Sequence, residues 1–226
     1  MVSTSKFSAI VPALLISLAA VPVLGGILRL VQMSGASIDF LPDSDRILAG
    51  ASTIFVLHIV SAGYYCIVGA FQFSIGVRGR WPTWHRRMGI VVATAGLLVS
   101  MTGLWLTLFF PPASVDNALL YLVRLIVAPT MAVFIVFGIF DAKRRNFERH
   151  RAWMMRGYAL GAGAGTQVLL LGPWTFLLAE PDNATRAILM GGGWAINLFI
   201  AEWFIYKRRS HRLRTSRVEL ALRSGI

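Results

Sequence analysis

Residues 118–140 read ALLYLVRLIVAPTMAVFIVFGIF, an apolar run in which Arg124 is the only charged residue. A helix needs about 20 mainly apolar residues to cross the hydrocarbon core of a bilayer. The run is long enough for such a crossing, whereas a surface helix of a soluble protein carries polar residues along one face. This stretch therefore predicts a transmembrane helix.

Six apolar runs along the chain meet the same length criterion. They are residues 8–32, 48–73, 88–110, 118–140, 154–179 and 187–206. The first run contains Pro12 and Pro22, which helices in lipid tolerate better than helices in water. Because it follows a single Lys6, a secretory signal peptide is the alternative, but the run is long for one and a retained helix is favoured. The sequence predicts a single all-α domain, residues 1–226, built as a bundle of about six transmembrane helices.

The overall composition agrees with a membrane protein. Of the 226 residues 56% are hydrophobic and only 14% are charged, and the mean hydropathy is +0.66. Soluble domains carry about 25% charged residues. The single cysteine, Cys66, lies within an apolar run, which excludes an intramolecular disulfide and a cysteine-based zinc site.

The charged residues are segregated along the chain. Basic residues follow the second and fourth runs and fill the tail: Arg78, Arg80, Arg86 and Arg87; Lys143, Arg144, Arg145, Arg149 and Arg151; Lys207, Arg208, Arg209, Arg212, Arg214, Arg217 and Arg223. The intervening loops are acidic, with Asp39, Asp43, Asp45, Asp116, Glu180 and Asp182. Cytoplasmic loops of membrane proteins carry an excess of Lys and Arg. The pattern predicts that both termini face the cytoplasm, that residues 207–226 form a basic cytoplasmic tail, and that the membrane is a bacterial inner (plasma) membrane.

The same distribution accounts for the net charge of +12, so that a nucleic-acid partner is not needed to explain it. The basic clusters lie at the ends of apolar runs, as topology determinants do, and the aromatic residues beside them are mostly tryptophans. An interfacial belt is predicted from Trp81, Trp84, Trp153 and Trp203 on the inner side and Trp174 on the outer side. The expected partner is therefore a bilayer containing anionic phospholipid, and no nucleic acid.

Three of the four histidines are candidates for chemistry. His58 lies in the second run, roughly 15 Å deep if that run is helical. His85 and His150 stand at matching depth, at the cytoplasmic entrances of the third and fifth runs, and each is followed by an arginine, Arg86 and Arg151. His211 lies in the basic tail and is expected to be solvated.

The motifs around these histidines resemble a known family. The segment from Leu57-His58 to Gln72-Phe73, with Arg78, Arg80, Pro82, His85, Arg86 and Gly89, looks like the first half of the DUF2306 family of bacterial membrane proteins. The second half is matched by His150-Arg151-x-Trp153-Met154-x-Arg156 followed by Tyr158-Ala159-Leu160. The resemblance covers roughly residues 50–175, and Ile90 departs from it where an arginine is expected. The family is similar in helix count and histidine placement to cytochrome b561-type haem proteins, whose haem ligands come from alternate helices.

This resemblance implies haem b bound by His85 and His150. A b-type haem needs two neutral imidazoles on facing helices and cations for its propionates. The candidate cations are Arg86, Arg87, Arg151 and Arg156. A second haem would need a partner for His58, and Met131 is the only soft ligand at comparable depth. The implied function is electron transfer in the membrane, with a quinone or another redox partner.

Two alternatives to haem stay open at this level. The same His-Arg clusters at helix N-termini suit lipid phosphate groups, so that a cofactor-free protein binding anionic lipid or a partner complex is the main rival. A small transporter is least favoured, because paired half-helices with polar midplane residues are missing from the pattern. The sequence contains no Gly-rich phosphate loop and no nucleophile elbow, and it assigns no catalytic residue.

Three polar residues inside the runs need partners. Arg124 lies near the outer end of its run and can snorkel toward the headgroups. Glu202 lies near the inner end, where Arg156 of the His150 cluster is expected to neutralise it. Gln72 is expected to form an interhelical hydrogen bond.

The pair Gly161 and Gly165 allows close helix approach or room for a bulky ligand, and packing is favoured.

The predicted topology can be tested with reporter fusions. Fusions after residues 80, 146 and 215 are expected to report the cytoplasm, and fusions near residues 43, 115 and 183 the opposite side, because basic loops stay inside. Neutralising Lys143, Arg144 and Arg145 together is expected to loosen the orientation. Reversed readings in two of the loops would contradict the topology.

Overall fold

The structure, a computed structural model, describes residues 4–36, 52–110 and 117–223. Eight helices account for nearly all of these ranges: α1 (Thr4–Met33), α2 (Ser52–Gln72), α3 (Ile75–Arg80), α4 (Pro82–Phe109), α5 (Ala118–Lys143), α6 (Phe147–Gly161), α7 (Gly163–Leu177) and α8 (Asn183–Arg223). The described ranges contain no β-strand, so the predicted all-helical fold is confirmed. The acidic residues Asp39, Asp43, Asp45 and Asp116 lie outside the described residues.

Five helices are long and apolar enough to cross a membrane. They are Ala9–Met33, Thr53–Gln72, Pro82–Phe109, Ala118–Lys143 and Asn183–Leu213, which coincide with five of the six predicted spans. The structure departs from the prediction at residues 154–179, which belong to two helices of 15 residues each, α6 and α7. The sixth crossing and the orientation of the termini stay predictions.

The helices form one bundle in which neighbours in sequence are mostly neighbours in space. Helix α1 lies against α2 and α7, α2 against α4, α4 against α5, α5 against α6, and α8 against α6 and α7. Large apolar side chains point away from the bundle and are exposed, among them Leu14, Ile126 and Phe199. Such a surface is suited to lipid, because hydrocarbon solvates it at no cost.

Small residues and tyrosines form the centre of the bundle. Tyr65 on α2 and Tyr158 on α6 are buried, with ring centroids 5.6 Å apart. The Tyr158 hydroxyl donates a hydrogen bond of 2.6 Å to the carbonyl of Cys66. A Cβ atom at Gly96 on α4 would lie 2.5 Å from the Tyr65 ring. The aromatic rings therefore occupy space that only glycine on the facing helix leaves open.

The break between α6 and α7 falls at Ala162, inside the predicted fifth span. Glycines at positions 161, 163 and 165 flank it, and glycine weakens a helix interior by about 1 kcal/mol relative to alanine. The Ala162 carbonyl accepts from the amide of Gly165 at 3.1 Å, an i to i+3 bond. Asn197 on α8 donates to the carbonyl of Ala159 at 3.0 Å. The Asn197 side chain of α8 thus satisfies a backbone carbonyl beside the break.

The glycines at the break are also the points of closest helix approach. A Cβ atom at Gly161 would collide with the ring of Tyr65, and one at Gly165 would collide with the backbone carbonyl oxygen of Leu18 on α1. The packing interpretation of this pair is confirmed, because no ligand-sized gap separates these helices at the two glycines.

The substitution Gly165→Ala is expected to lower the melting temperature of the purified protein. Backbone atoms of α1 cannot move aside as a flexible side chain can, and overpacking of this kind costs about 1–3 kcal/mol. Gly172→Ala is the matched control on the same helix, because no atom lies within 4 Å of its Cβ position. The control is expected to be neutral or slightly stabilising, and equal melting shifts for the two variants would contradict the close contact.

Candidate functional site

Two short connections bring the candidate histidines to one end of the bundle. In the first, the Ser74 hydroxyl accepts from the amide of Val77 at 3.3 Å and starts α3, which carries Arg78. Helix α4 begins immediately afterwards with Pro82 at its first turn, a position where the missing amide hydrogen is not needed. His85 therefore lies one turn into α4, close to the C-terminal end of α2.

The second connection is a tight turn between α5 and α6. Arg145 adopts a left-handed conformation with φ 60°, and the amide of Asn146 donates to the carbonyl of Asp141 at 2.8 Å, which closes the end of α5. The Asn146 side chain then accepts from the amide of Arg149 at 3.3 Å and starts α6. This turn sends α6 back along α5 and places His150 at the same end as His85.

The imidazole of His150 has a defined tautomer. Its Nδ1 lies 2.8 Å from the carbonyl oxygen of Gly138 on α5. A carbonyl can only accept, so Nδ1 carries a hydrogen, and in the neutral ring the lone pair is then on Nε2. Histidines that bind metals are commonly oriented in this way, with the second ring nitrogen donating to a backbone carbonyl.

Polar atoms of Gln72 and His85 are buried nearby without a hydrogen-bond partner. They are Nε2 of Gln72 and Nδ1 of His85, among the described residues. Among the described residues, no partner of Nε2 supports the interhelical hydrogen bond expected of Gln72. Gly89 stands one turn beyond His85, and the nearest atom to its Cβ position is Oε1 of Gln72 at 3.5 Å. The C-terminal end of α2 and the N-terminal end of α4 thus each carry one buried polar atom without a partner.

Positive charge accumulates around this pair. Arg78, Arg151 and His150 all act electrostatically on His85. Burial, followed by repulsion from Arg208, lowers the pKa of Arg78. Burial also lowers the pKa of Arg151, followed by repulsion from Arg208 and Arg78, while Glu148 opposes the shift. Arginine stays protonated at any physiological pH, so the three guanidinium groups remain charged and repel one another. We call the group Arg78, His85, His150, Arg151 and Arg208 the basic end.

The described carboxylates near the basic end are paired with other arginines. Glu202 on α8 accepts from both Nε and Nη2 of Arg156 on α6, the second at 2.8 Å. Asp141 is buried and lies 3.3 Å from Nε of Arg149, and Glu148 forms an ion pair with Arg212. The predicted neutralisation of Glu202 by Arg156 is confirmed. Within the described ranges no ion pair neutralises Arg78, Arg151 or Arg208.

The structure separates the remaining candidates from this group. Arg86 and Arg87 are exposed. Nδ1 of His58 lies 2.8 Å from the hydroxyl of Thr102, toward the opposite end of α2. Met131 is buried in the core against Tyr65 and Gly161, where it serves packing.

Sequence reasoning missed two contributors to the basic end, Arg78 and Arg208, and gave a different role to Gln72. The sequence marked Arg208 only as a topology determinant and Arg78 as that and as part of the family motif, because a run of arginines does not show which of them lie close to a given histidine. The sequence did contain a signal for Gln72. An amide side chain at the end of an apolar run, close in sequence to His85, usually has a structural or functional role in a membrane helix.

The fold and the basic end together define a multi-pass helical membrane protein with a polar, cationic group at one end of its bundle. The family model described as a predicted membrane protein, DUF2306, matches residues 55–205. The match covers more than half of the chain, and the chain belongs to this family. It extends beyond the 50–175 region of the sequence resemblance and includes Glu202. Searches of curated proteins and of solved structures gave no match.

The pair of Arg156 and Glu202 provides a stability test. Arg156→Ala is expected to destabilise the purified protein by about 1–2 kcal/mol, between the cost of an exposed and a buried ion pair, because the Arg156 side chain is 22% exposed and that of Glu202 50%. Arg209→Ala, an exposed position on α8, is the control and is expected to change little. The double variant Arg156→Ala with Glu202→Ala should lose less than the sum of the single losses, and strict additivity would contradict the pair.

Proposed function

We propose that this protein binds a b-type haem through His85 and His150 and transfers electrons within the membrane. The observation that carries the proposal is the pair of imidazoles on α4 and α6, close enough to interact electrostatically. Nε2 of His150 is free for a ligand bond, since its Nδ1 is held by the carbonyl of Gly138. Among the described residues, Nδ1 of His85 is buried without a hydrogen-bond partner. A buried polar atom of this kind is expected where a cofactor binds beside it.

The chemistry of the donor set fits haem better than a bare metal ion. Among the described residues no three His, Cys, Asp or Glu side chains are grouped to hold a metal. Haem iron takes its equatorial ligands from the porphyrin, so that two axial imidazoles suffice. Haem would supply a one-electron redox centre, exchanging electrons with a quinone or another redox partner.

The arginines have separate roles in this proposal. Arg151, next to His150 and half-buried, would bind a propionate bidentately. Arg156 is expected to contribute indirectly, because Glu202 already occupies its guanidinium group. Arg86 is exposed and would contact a propionate only at the edge of the site. His58 is assigned no iron, because it lies with Thr102 toward the opposite end of α2, away from His85 and His150.

We further propose that the protein lies in the inner (plasma) membrane with both termini in the cytoplasm. The basic residues of the three predicted inner segments support this orientation. Arg78, Arg151 and Arg208, one from each segment, lie close to one another at one end of the bundle. A single positive end is what the positive-inside rule demands of a bundle inserted into such a membrane.

The haem proposal is tested by the absorption spectrum of detergent-purified protein, expressed with added haem precursor and recorded before and after dithionite. A Soret band that sharpens and shifts on reduction, with a separate α-band, is expected. His85→Ala and His150→Ala should each abolish or strongly alter it, because loss of one axial imidazole leaves five-coordinate iron. His58→Ala and His211→Ala are the matched controls and should leave the spectrum unchanged. Colourless wild-type protein would refute the proposal.

A further inference from the structure

His58 is a half-buried histidine of α2 to which the haem proposal gives no role. Its Nδ1 lies 2.8 Å from the hydroxyl oxygen of Thr102 on α4. That hydroxyl donates its single hydrogen to a carbonyl of the preceding helical turn, that of Leu98 at 2.6 Å. Toward His58 the hydroxyl can therefore only accept. It follows that Nδ1 of His58 carries a hydrogen and donates it to Thr102.

The other ring nitrogen of His58 is an open hydrogen-bond acceptor. A charged imidazole is costly at membrane depth, and in the neutral ring the lone pair is on Nε2 once Nδ1 carries the hydrogen. Within the described part of the chain, Nε2 forms no hydrogen bond and is not fully buried. A Cβ atom at Gly103 would lie 3.4 Å from Cε1 of the ring, so the ring packs closely against α4. His58 thus offers a ligand one acceptor and no donor.

Aromatic rings are concentrated at the start of α2 and the end of α4, the helix ends nearest to His58. Phe55 precedes His58 by three residues and lies on the same face of α2. Its ring meets that of Phe110 edge to face, with centroids 4.9 Å apart. On α4, the ring of Trp105 lies 5.5 Å from that of Phe109. Aromatic side chains pack favourably against another flat ring, so these surroundings suit an aromatic ligand.

We propose that Nε2 of His58 binds a hydroxyl group of a lipid-soluble hydroquinone, in preference to the corresponding quinone. A hydroquinone carries two hydroxyl donors, whereas a quinone carries two carbonyls that only accept and would leave the lone pair of Nε2 unpaired. A site with one fixed hydrogen-bonding role discriminates against a ligand that cannot match it.

The inference rests on the proposed function only in taking a quinone as the redox partner. The hydroquinone site shares no residue with the proposed haem site, and Thr102 lies roughly 25 Å along α4 from His85 at 1.5 Å per residue. The inference therefore concerns binding and the choice between two redox forms, and it assigns no electron-transfer step to His58.

The test measures the affinity of purified protein in lipid nanodiscs for both redox forms. The probes are decylhydroquinone and decylquinone, titrated by calorimetry under anaerobic conditions. Wild-type protein is expected to bind the hydroquinone about tenfold more tightly, the contribution of one hydrogen bond that the quinone cannot make. His58→Phe keeps an aromatic ring without the lone pair and is expected to bind both forms equally. His211→Phe, the same substitution in the tail, is the matched control and should keep the preference.

The outcomes separate the proposal from its rivals. Equal affinities of wild-type protein for the two forms, or tighter binding of the quinone, would overturn it. A preference that persists in His58→Phe would overturn it as well, because another residue would then select the ligand. Decanol is the aliphatic reference. If decanol binds as tightly as decylhydroquinone, the ring is not recognised, and the hydroxyl partner of His58 is a lipid alcohol instead.

A second measurement does not depend on the folding of a variant. In wild-type protein labelled with ¹⁵N-histidine, decylhydroquinone is expected to shift the Nε2 resonance of His58, because the lone pair becomes a hydrogen-bond acceptor. An unchanged resonance at saturating ligand would overturn the proposal. The absorption spectrum of the same samples reports on haem separately. A colourless protein that still prefers the hydroquinone refutes the haem alone, and a haem-containing protein without the preference refutes the hydroquinone site alone.

Discussion

Hydrocarbon offers no hydrogen-bond partner to a peptide group, and the architecture of this protein follows from that constraint. Each polar backbone atom at membrane depth must find its hydrogen-bond partner within the chain, and a helix provides these partners within a single segment. The break at Ala162 shows how an exception is accommodated. Asn197 donates to the carbonyl of Ala159 beside the break, and Thr166 in turn donates to the side chain of Asn197 at 2.6 Å. Polar residues of α7 and α8 thus stabilise the interruption between α6 and α7.

The same lack of solvation governs the charged residues. Every ionised side chain near the boundary must reach the headgroups or find an opposite charge. Glu202 and Asp141 follow the second course through Arg156 and Arg149. The basic end differs, since no ion pair among the described residues neutralises Arg78, Arg151 or Arg208.

Much of the fold could be read from the chain, because the membrane imposes length and polarity on each segment separately. The spans at 118–140 and 187–206 needed only local composition, and tight packing at Gly161 and Gly165 followed from residue size. The family was identifiable from motifs around His85 and His150. The pairing of Arg156 with Glu202 was also predictable, because an acidic residue near the basic boundary has few alternatives.

The interior of the basic end was decided by tertiary structure. The sequence favoured Arg86, which follows His85 directly, yet adjacent helix positions point about 100° apart, and the arginines that act electrostatically on His85 are Arg78 and Arg151. Arg208 is far from Arg78 and Arg151 in sequence, and only the continuation of α8 beyond the apolar run brings it to them. The break at Ala162 likewise depends on a side chain from another helix. Local sequence sets which segments enter the membrane, whereas the rotation of each helix about its axis, fixed by packing, decides which charges meet.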